Sequence, residues 1–419
     1  LNPLYSLGYD NRVSSMSLAN YMANGLLDAG VNVKNIGLVT TPMCYFAANY
    51  LYVNASMMIT ASHNPKEYNG FKFSYNGIHN AYGKDVTELY EMLLTGKAKK
   101  ADKRGTIENI NIEDEYIKMI LDDIRLGDRK IKVIYDCGNG TTSIIADKIF
   151  NKLNIEKKGI YNISDGNFPN HQPDPAVSEN LNDLRQEVVN YQADIGIAFD
   201  GDGDRVGFVD EKGRIIPIEE YMIIMWRDIC DRVSNRKCLF DVKCSKALED
   251  ELLKLGVEPI CYRTGGTYTR AKIAELNIPL GGELSGHICF RDRFKGYDDG
   301  IYNGIRLIEL LSNTDKNLSS LSEGINKYYN TPEIKIEVTD TSKFIIVDKI
   351  KEYAQSMNYQ MLTIDGVKVK FPDCSSALVR ASNTTPCITL RFEAKTQERL
   401  QEIYNEFITK LNEIIKELA

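Results

Sequence analysis

Short apolar runs alternate with segments of helical spacing through the first three-quarters of the chain. Near the start, Leu18, Met22 and Leu26 recur four apart behind Ser14-Ser15, which predicts a hydroxyl-capped helix. "VNVKNIGLV" (31–39) and "SMMIT" (56–60) read as strands. A second stretch offers the strands "IKVIYD" (131–136) and "ADIGIAFD" (193–200) around the helical segments "TTSIIADKIFNKL" (141–153) and "SENLNDLRQEVVNYQ" (178–192). A third runs through "KCLFDV", "KALEDELLKLG", "EPICYRT", "TYTRAKIAEL" and "IPLGGEL" to the helix "GIYNGIRLIELL" (300–311). Such alternation predicts parallel, doubly wound sheets.

From about Glu333 the pattern changes. "EIKIEV", a helix near "FIIVDKIKEYAQ", a hairpin signal at Ile364-Asp365-Gly366 and the long helix "TQERLQEIYNEFITKLNEII" (396–415) predict a smaller α+β unit. The expected division is three doubly wound, mixed α/β domains, 1–102, 103–213 and 214–328, and an α+β domain, 329–419. No short repeat or low-complexity segment is visible.

With 419 residues, the chain is long enough for several domains at roughly 100–200 residues each. A net charge of −7 argues against a nucleic-acid surface. Nine scattered cysteines without a C-x-x-C pair read as reduced thiols. No apolar run approaches membrane length, and the first residues show no signal-peptide pattern. Together these predict a cytoplasmic protein with no membrane or nucleic-acid partner.

The strongest chemical signal is "FDGDGDR" (199–205). Asp200, Asp202 and Asp204 alternate with glycines directly after an apolar strand. Carboxylates so close repel unless a cation holds them, and hard oxygen ligands select Mg²⁺ or Ca²⁺. An acidic surface turn is the plain alternative. An EF-hand loop is another, with Glu211 at its twelfth position. Its sixth position is Arg205 rather than Gly, and the flanks look like strands.

Three more loops bear chemistry. In "ITASHNPKEYNGFK" (59–72) a strand delivers Ser62 to its carboxyl end, where ligands of open α/β sheets bind. Pro65 biases Asn64 toward extended backbone, so the loop does not run on as helix. A turn serine and a solvated Lys72 are the structural alternatives. In "GGELSGH" (281–287) Glu283, Ser285 and His287 alternate, and an extended loop would turn all three to one side to read sugar hydroxyls. In "RASNTTP" (380–386) Arg380 stands with Ser382, Asn383, Thr384 and Thr385, a composition that suits a phosphate clamp. The alternatives are a glycine-rich turn and a polar hairpin loop. As a set, these loops imply phosphoryl transfer on a sugar phosphate.

The chain resembles the α-D-phosphohexomutase superfamily, specifically its bacterial phosphomannomutase/phosphoglucomutase branch. The resemblance is carried by "TASHNP", "DGNFPNHQPDP", "GIAFDGDGDRVG", "DVKCS", "GGELSGH", "GYDDGIY" and "LVRASNTTP", in family order. It implies four domains around a central cleft and a phosphorylated Ser62. It also implies one Mg²⁺ held by Asp200, Asp202, Asp204 and the phosphoserine, with hexose 1,6-bisphosphate as intermediate and activator. Lys72 matches the family's acid/base candidate, and Arg205 and Lys243 match cations near the transferring phosphate. Glu283, Ser285 and His287 match the sugar-reading loop; Arg380, Ser382, Asn383 and Thr384 match the clamp for the other phosphate. The implied substrates are mannose and glucose phosphates, which differ only at C2. Two features depart from the pattern. "RTGGT" places Gly266 where the family usually has His, and the family's Arg-bearing segment before the first strand is not in this chain. A sugar-phosphate binder with lost or weak turnover is the alternative these departures keep open.

Overall fold

The computed structural model describes residues 3–75, 79–96, 99–383 and 385–418. Strands form four sheets. The first contains β1 (Leu4–Tyr9), β2 (Asn32–Leu38), β3 (Ala55–Ile59), β4 (Phe71–Tyr75), β5 (His79–Asn80) and β6 (Ile107–Asn109) in the order β5-β4-β3-β1-β2-β6. Since β6 pairs with β2, this sheet reaches past residue 102. The second contains β7 (Lys132–Asp136), β8 (Glu156–Ile160), β9 (Ile195–Phe199), β10 (Val206–Asp210) and β11 (Ile215–Ile216), ordered β11-β10-β9-β7-β8. The third contains β12 (Lys237–Asp241), β13 (Glu258–Tyr262), β14 (Leu280–Gly282) and β15 (Ile288–Phe290), ordered β13-β12-β14-β15.

These three sheets share one plan that no sequence repeat announces. A first strand (β1, β7 or β12) pairs in parallel with the next in the chain on one side and with a third on the other. The third strand then turns back into an antiparallel neighbour. The sheets are therefore mixed, as expected for these domains, although the alternation of elements alone points to parallel ones. The returning strand is short and follows without a helix, so helical periodicity cannot reveal it. The Ser62 loop joins β3 to β4, the Asp200 loop β9 to β10, and the Glu283 loop β14 to β15. In every case the chemistry sits on the hairpin at the carboxyl end of the third strand.

The fourth sheet is antiparallel and contains β16 (Tyr329–Asn330), β17 (Ile334–Glu337), β18 (Gln360–Leu362), β19 (Val367–Lys370), β20 (Ser376–Ala381) and β21 (Cys387–Ala394). The "RASNTTP" loop is its β20–β21 hairpin, and Asp365 lies in the predicted β18–β19 turn. Helices Ser342–Ser356 and Gln397–Leu418 cover this sheet around a separate core of Ile350, Val369, Phe392 and Phe407. A single larger core runs through the other three sheets, from Met43 and Tyr116 to Trp226 and Tyr302.

Several local expectations change. Ser14 does not cap the helix Ser15–Asp28 with its side chain; it accepts from Asn69 Nδ2 at 2.8 Å instead. The segment 141–153 forms a 3₁₀ turn, Thr141–Ile144, and a short helix, Ala146–Phe150. The helix Ile218–Ile229 is buried almost all round, so it lacks the polar face that periodicity detects. Nine free cysteines include seven buried ones. Among the described residues, no helix is long and apolar enough to cross a membrane.

Candidate active site

Ser62 follows β3 with φ +52°, a left-handed backbone that a non-glycine residue adopts only under constraint. In that conformation its Oγ donates to Asp200 Oδ2 at 2.7 Å and lies 3.3 Å from His63 Nδ1. The serine is half-buried, while Asp200, Asp202 and Asp204 are buried.

The acidic loop is a strand-flanked hairpin, β9 to β10, which disposes of the EF-hand alternative. Its glycines serve close packing as well as turning. A Cβ on Gly201 would lie 2.4 Å from the Ser62 carbonyl oxygen, and Gly203 has φ +81°. One oxygen from each of the three carboxylates lies within 4.8 Å of the others. Asp200 Oδ1 accepts from the backbone of Gly203 and Arg205 at 3.0 and 3.1 Å. Asp202 Oδ2 accepts from Thr41 Oγ1 at 2.6 Å, Thr60 Oγ1 at 3.2 Å and Lys72 Nζ at 2.7 Å. By contrast, Asp202 Oδ1 and Asp204 Oδ1 are buried acceptors with no hydrogen-bond donor. Orphaned carboxylate oxygens in an all-oxygen cluster suit a hard divalent cation. Burial, then the charges of Asp202 and Asp204, pushes the Asp200 carboxyl far above its usual range. Burial is the largest influence on Asp204 and acts to raise it, but the Lys72 ammonium together with weaker neighbouring charges outweighs it and the group is held below its usual value.

Lys72 lies on β4, opposite Met58 of β3. Its Nζ bridges Asp202 and Asp204 at 2.7 and 2.6 Å. Burial works against its charge, yet these carboxylates raise its pKa well above the lysine value. In this arrangement Lys72 is an ammonium and a proton donor. It becomes a base only on leaving the carboxylates.

Arg205 carries the cluster to the third domain. Its Nε donates to His287 Nε2 at 3.0 Å, so that nitrogen is the unprotonated one, and His287 Nδ1–H faces Asp298 Oδ2 at 2.6 Å. Glu283 Oε1 accepts from Gly265 N at 2.8 Å and Thr269 Oγ1 at 2.6 Å, and Ser285 Oγ lies 3.4 Å from Glu283 Oε2. The loop that carries them is a tight turn, not the extended segment expected. Gly286 N donates to Glu283 O at 3.0 Å, and Gly286 has φ +98°. At Gly266 a Cβ would sit 3.3 Å from His287 Cγ, so the glycine lets its loop close on that imidazole.

Asn383 Nδ2 donates to Thr264 O at 3.1 Å and brings the fourth domain to the third. Arg380 Nε pairs with Asp365 Oδ2 at 3.0 Å, and the same oxygen accepts from Thr264 N at 2.9 Å. Ser382 Oγ meets Thr385 Oγ1 at 2.8 Å. Thr384 lies outside the described residues. Lys243 is buried, with Nζ 3.1 Å from Glu333 Oε2 and 3.8 Å from Asp241 Oδ2. Thus Ser62, Asp200, Asp202, Asp204, Lys72, Arg205 and His287 form one continuous cluster, and Lys243 and the Arg380 loop line the junction of the third and fourth domains.

Sequence reasoning passed over Arg12, Thr41, Asp298, Glu333 and Asp365. Arg12 had a readable signal, because Asp10-Asn11-Arg12 is a polar triplet directly behind β1. The others partner site residues far away in the chain, which no local pattern encodes.

The fold and this cluster define an α/β phosphosugar mutase architecture, and the comparisons agree. Phosphoglucomutase/phosphomannomutase α/β/α domains I, II and III match residues 3–100, 114–213 and 218–328, and the C-terminal domain matches 333–410. The chain belongs to the phosphoglucomutase/phosphomannomutase family. It is 41% identical over 416 residues to a phosphomannomutase/phosphoglucomutase of Pseudomonas syringae pv. tomato, covering 99% of this chain and 88% of that one. It is 39% identical to a phosphoglucomutase of Neisseria gonorrhoeae, covering 96% and 87%. The X-ray structure of a family protein from Burkholderia thailandensis superposes with a TM-score of 0.89 at 36% identity, covering 98% of this chain and 89% of that one.

Proposed function

We propose that this chain interconverts hexose 1-phosphates and hexose 6-phosphates of mannose, glucose or both, through phosphorylated Ser62 and a hexose 1,6-bisphosphate. The observation that carries the reading is Ser62 Oγ, 2.7 Å from Asp200 at the edge of an acidic cluster with two orphaned oxygens. Asp200, Asp202 and Asp204 would hold one Mg²⁺ together with the phosphoserine. Mg²⁺ there supplies positive charge to the oxygens of the transferring group.

In the forward half-reaction, the P–O bond to Ser62 Oγ breaks and a new one forms to the free hydroxyl of the sugar. The hydroxyl proton must leave. The released Ser62 Oγ must gain a proton as the hydroxyl loses one: Lys72, an ammonium at rest, gives its proton to Ser62 Oγ and, neutral once drawn off Asp202 and Asp204, takes the hydroxyl proton; in the return half-reaction, when the other phosphate goes back to Ser62, the same two transfers run in reverse. Arg205, held by His287, adds fixed positive charge at the reacting phosphate. Glu283, Ser285 and His287 read hydroxyls, and Arg380, Ser382, Asn383 and Thr384 hold the phosphate that does not react. Serine and acidic loops belong to the first two domains, and the recognition loops to the last two. That separation suits a bisphosphate that must be held in both orientations. A binder without turnover has no use for a constrained serine against an acidic cluster. We take the four family matches as the four domains, with linkers close to residues 103, 213 and 328.

The reading is tested by a coupled assay for glucose 6-phosphate from glucose 1-phosphate, primed with glucose 1,6-bisphosphate. Product formation supports it; tight sugar-phosphate binding without product would favour the binding alternative. Arg380→Ala separates recognition from chemistry. The planar fork makes paired charge-assisted bonds to phosphate, and their loss should raise KM about 10-fold or more. The value of kcat should fall as well, because remote binding energy orients the reacting hydroxyl. Phosphorylation of Ser62 by the bisphosphate should still occur. An unchanged KM would remove Arg380 from the clamp.

A further inference from the structure

Arg12 is buried beneath the serine loop and is unused in the mechanism above. A guanidinium has five N–H donors in a rigid plane. Here the four Nη donors point to carbonyls of the serine loop, while Nε makes an ion pair with Asp10 without a hydrogen bond. One Nη donates to Ser62 O at 2.7 Å and Asn64 O at 2.6 Å; the other donates to Pro65 O at 2.7 Å and Tyr68 O at 3.2 Å. Nε lies 3.2 Å from Asp10 Oδ2, and Asp10 Oδ1 accepts from Arg12 N at 3.0 Å and from Ser15 Oγ. The ring of Phe168, from the second domain, lies 5.1 Å from the guanidinium carbon. Gly166 approaches as closely: a Cβ there would stand 2.9 Å from Arg12 Cα.

We propose that Arg12 is the positioning residue for the phosphoryl-carrying serine. Four carbonyls of one loop converge on one cation, so the loop is wound around the guanidinium. Ser62 is the first of them, and its φ of +52° is the strained end of that winding. Non-glycine residues stay in this region only where their surroundings enforce it. The enforcement comes from both sides: Arg12 grips the Ser62 carbonyl, and Gly201 packs against the same oxygen from the acidic loop. Turning the peptide out of this conformation would swing Oγ away from Asp200. With its four Nη donors committed to the serine loop, Arg12 is not a phosphate ligand. It acts on the reaction only through Ser62.

The proposal rests on Ser62 being the phosphoryl carrier, and its test keeps the two apart. Wild-type turnover of glucose 1-phosphate tests the carrier reading. Arg12→Lys tests the positioning, since an ammonium offers three donors without the planar fork. Misplacing a reacting group by about 1 Å costs on the order of 10²-fold. R12K should therefore lose about 10²-fold in kcat and in the rate of Ser62 phosphorylation by glucose 1,6-bisphosphate, with KM for glucose 1-phosphate within about 3-fold of wild type. Arg12→Ala should recover part of that rate when guanidinium ion is added at millimolar concentration, which a general loss of stability would not permit. Should neither variant fold, Asp10→Asn carries the test: it weakens the Nε ion pair while leaving an oxygen for Arg12 N and Ser15 Oγ, and should lower kcat several-fold with KM unchanged. If kcat in the folded variants equals wild type, or if KM rises in step while Ser62 phosphorylation keeps its rate, Arg12 is merely structural and the proposal is wrong.

Discussion

Ser62→Ala should lose at least ~10³-fold in turnover while still binding glucose 1-phosphate, because the substitution removes the acceptor atom and little else. Ser62 Oγ contacts Asp200 and His63 and is only half-buried. The backbone of the loop is held by Arg12 and by the packing of Gly201, and an alanine leaves both in place. In the proposed reading substrate recognition uses other loops, so isothermal titration with glucose 1-phosphate should give a Kd within a few-fold of wild type. Any turnover that survives should depend on added bisphosphate. Wild-type kcat in this variant would remove Ser62 from the chemistry.

Asp202→Asn is the second large effect. The amide keeps the shape of the carboxylate but loses its charge, and Asp202 Oδ2 is the acceptor for Thr41, Thr60 and Lys72 together. Asp202 Oδ1, the buried oxygen without a donor, is the atom expected to face the cation. Turnover should fall by about 10²-fold or more, and half-saturation should shift to higher Mg²⁺ concentration. Circular dichroism should show an intact fold, since Asn can still pair with Thr41. In the wild type, Ca²⁺ in place of Mg²⁺ should inhibit, because its looser, longer-bonded shell fits the transferring phosphate poorly. Better turnover with Ca²⁺ would contradict the assignment.

Much of the site was legible because its chemistry lies at strand ends. "MMIT" and "GIAF" are apolar runs that stop abruptly at Ser62 and Asp200, and a polar group there has a predictable place in an open α/β sheet. The α+β domain was readable from its hairpin turn and its long amphipathic helix. Three things were not. The antiparallel return strands follow a loop instead of a helix, so alternation alone suggested parallel sheets. The alternating "GGELSGH" suggested an extended loop, but Gly286 at φ +98° lets it fold into a tight turn. Thr41 and Asp365 work through partners 161 and 101 residues away in the chain, and such pairings come from tertiary packing alone.

The most direct measurement is the intact mass of the purified protein before and after incubation with glucose 1,6-bisphosphate, with peptide mapping of any added group. One phosphoryl group per chain, located on Ser62 and lost again on incubation with glucose 1-phosphate, is the result predicted here. An active preparation that never carries a phosphoryl group at Ser62 under either condition would contradict the account.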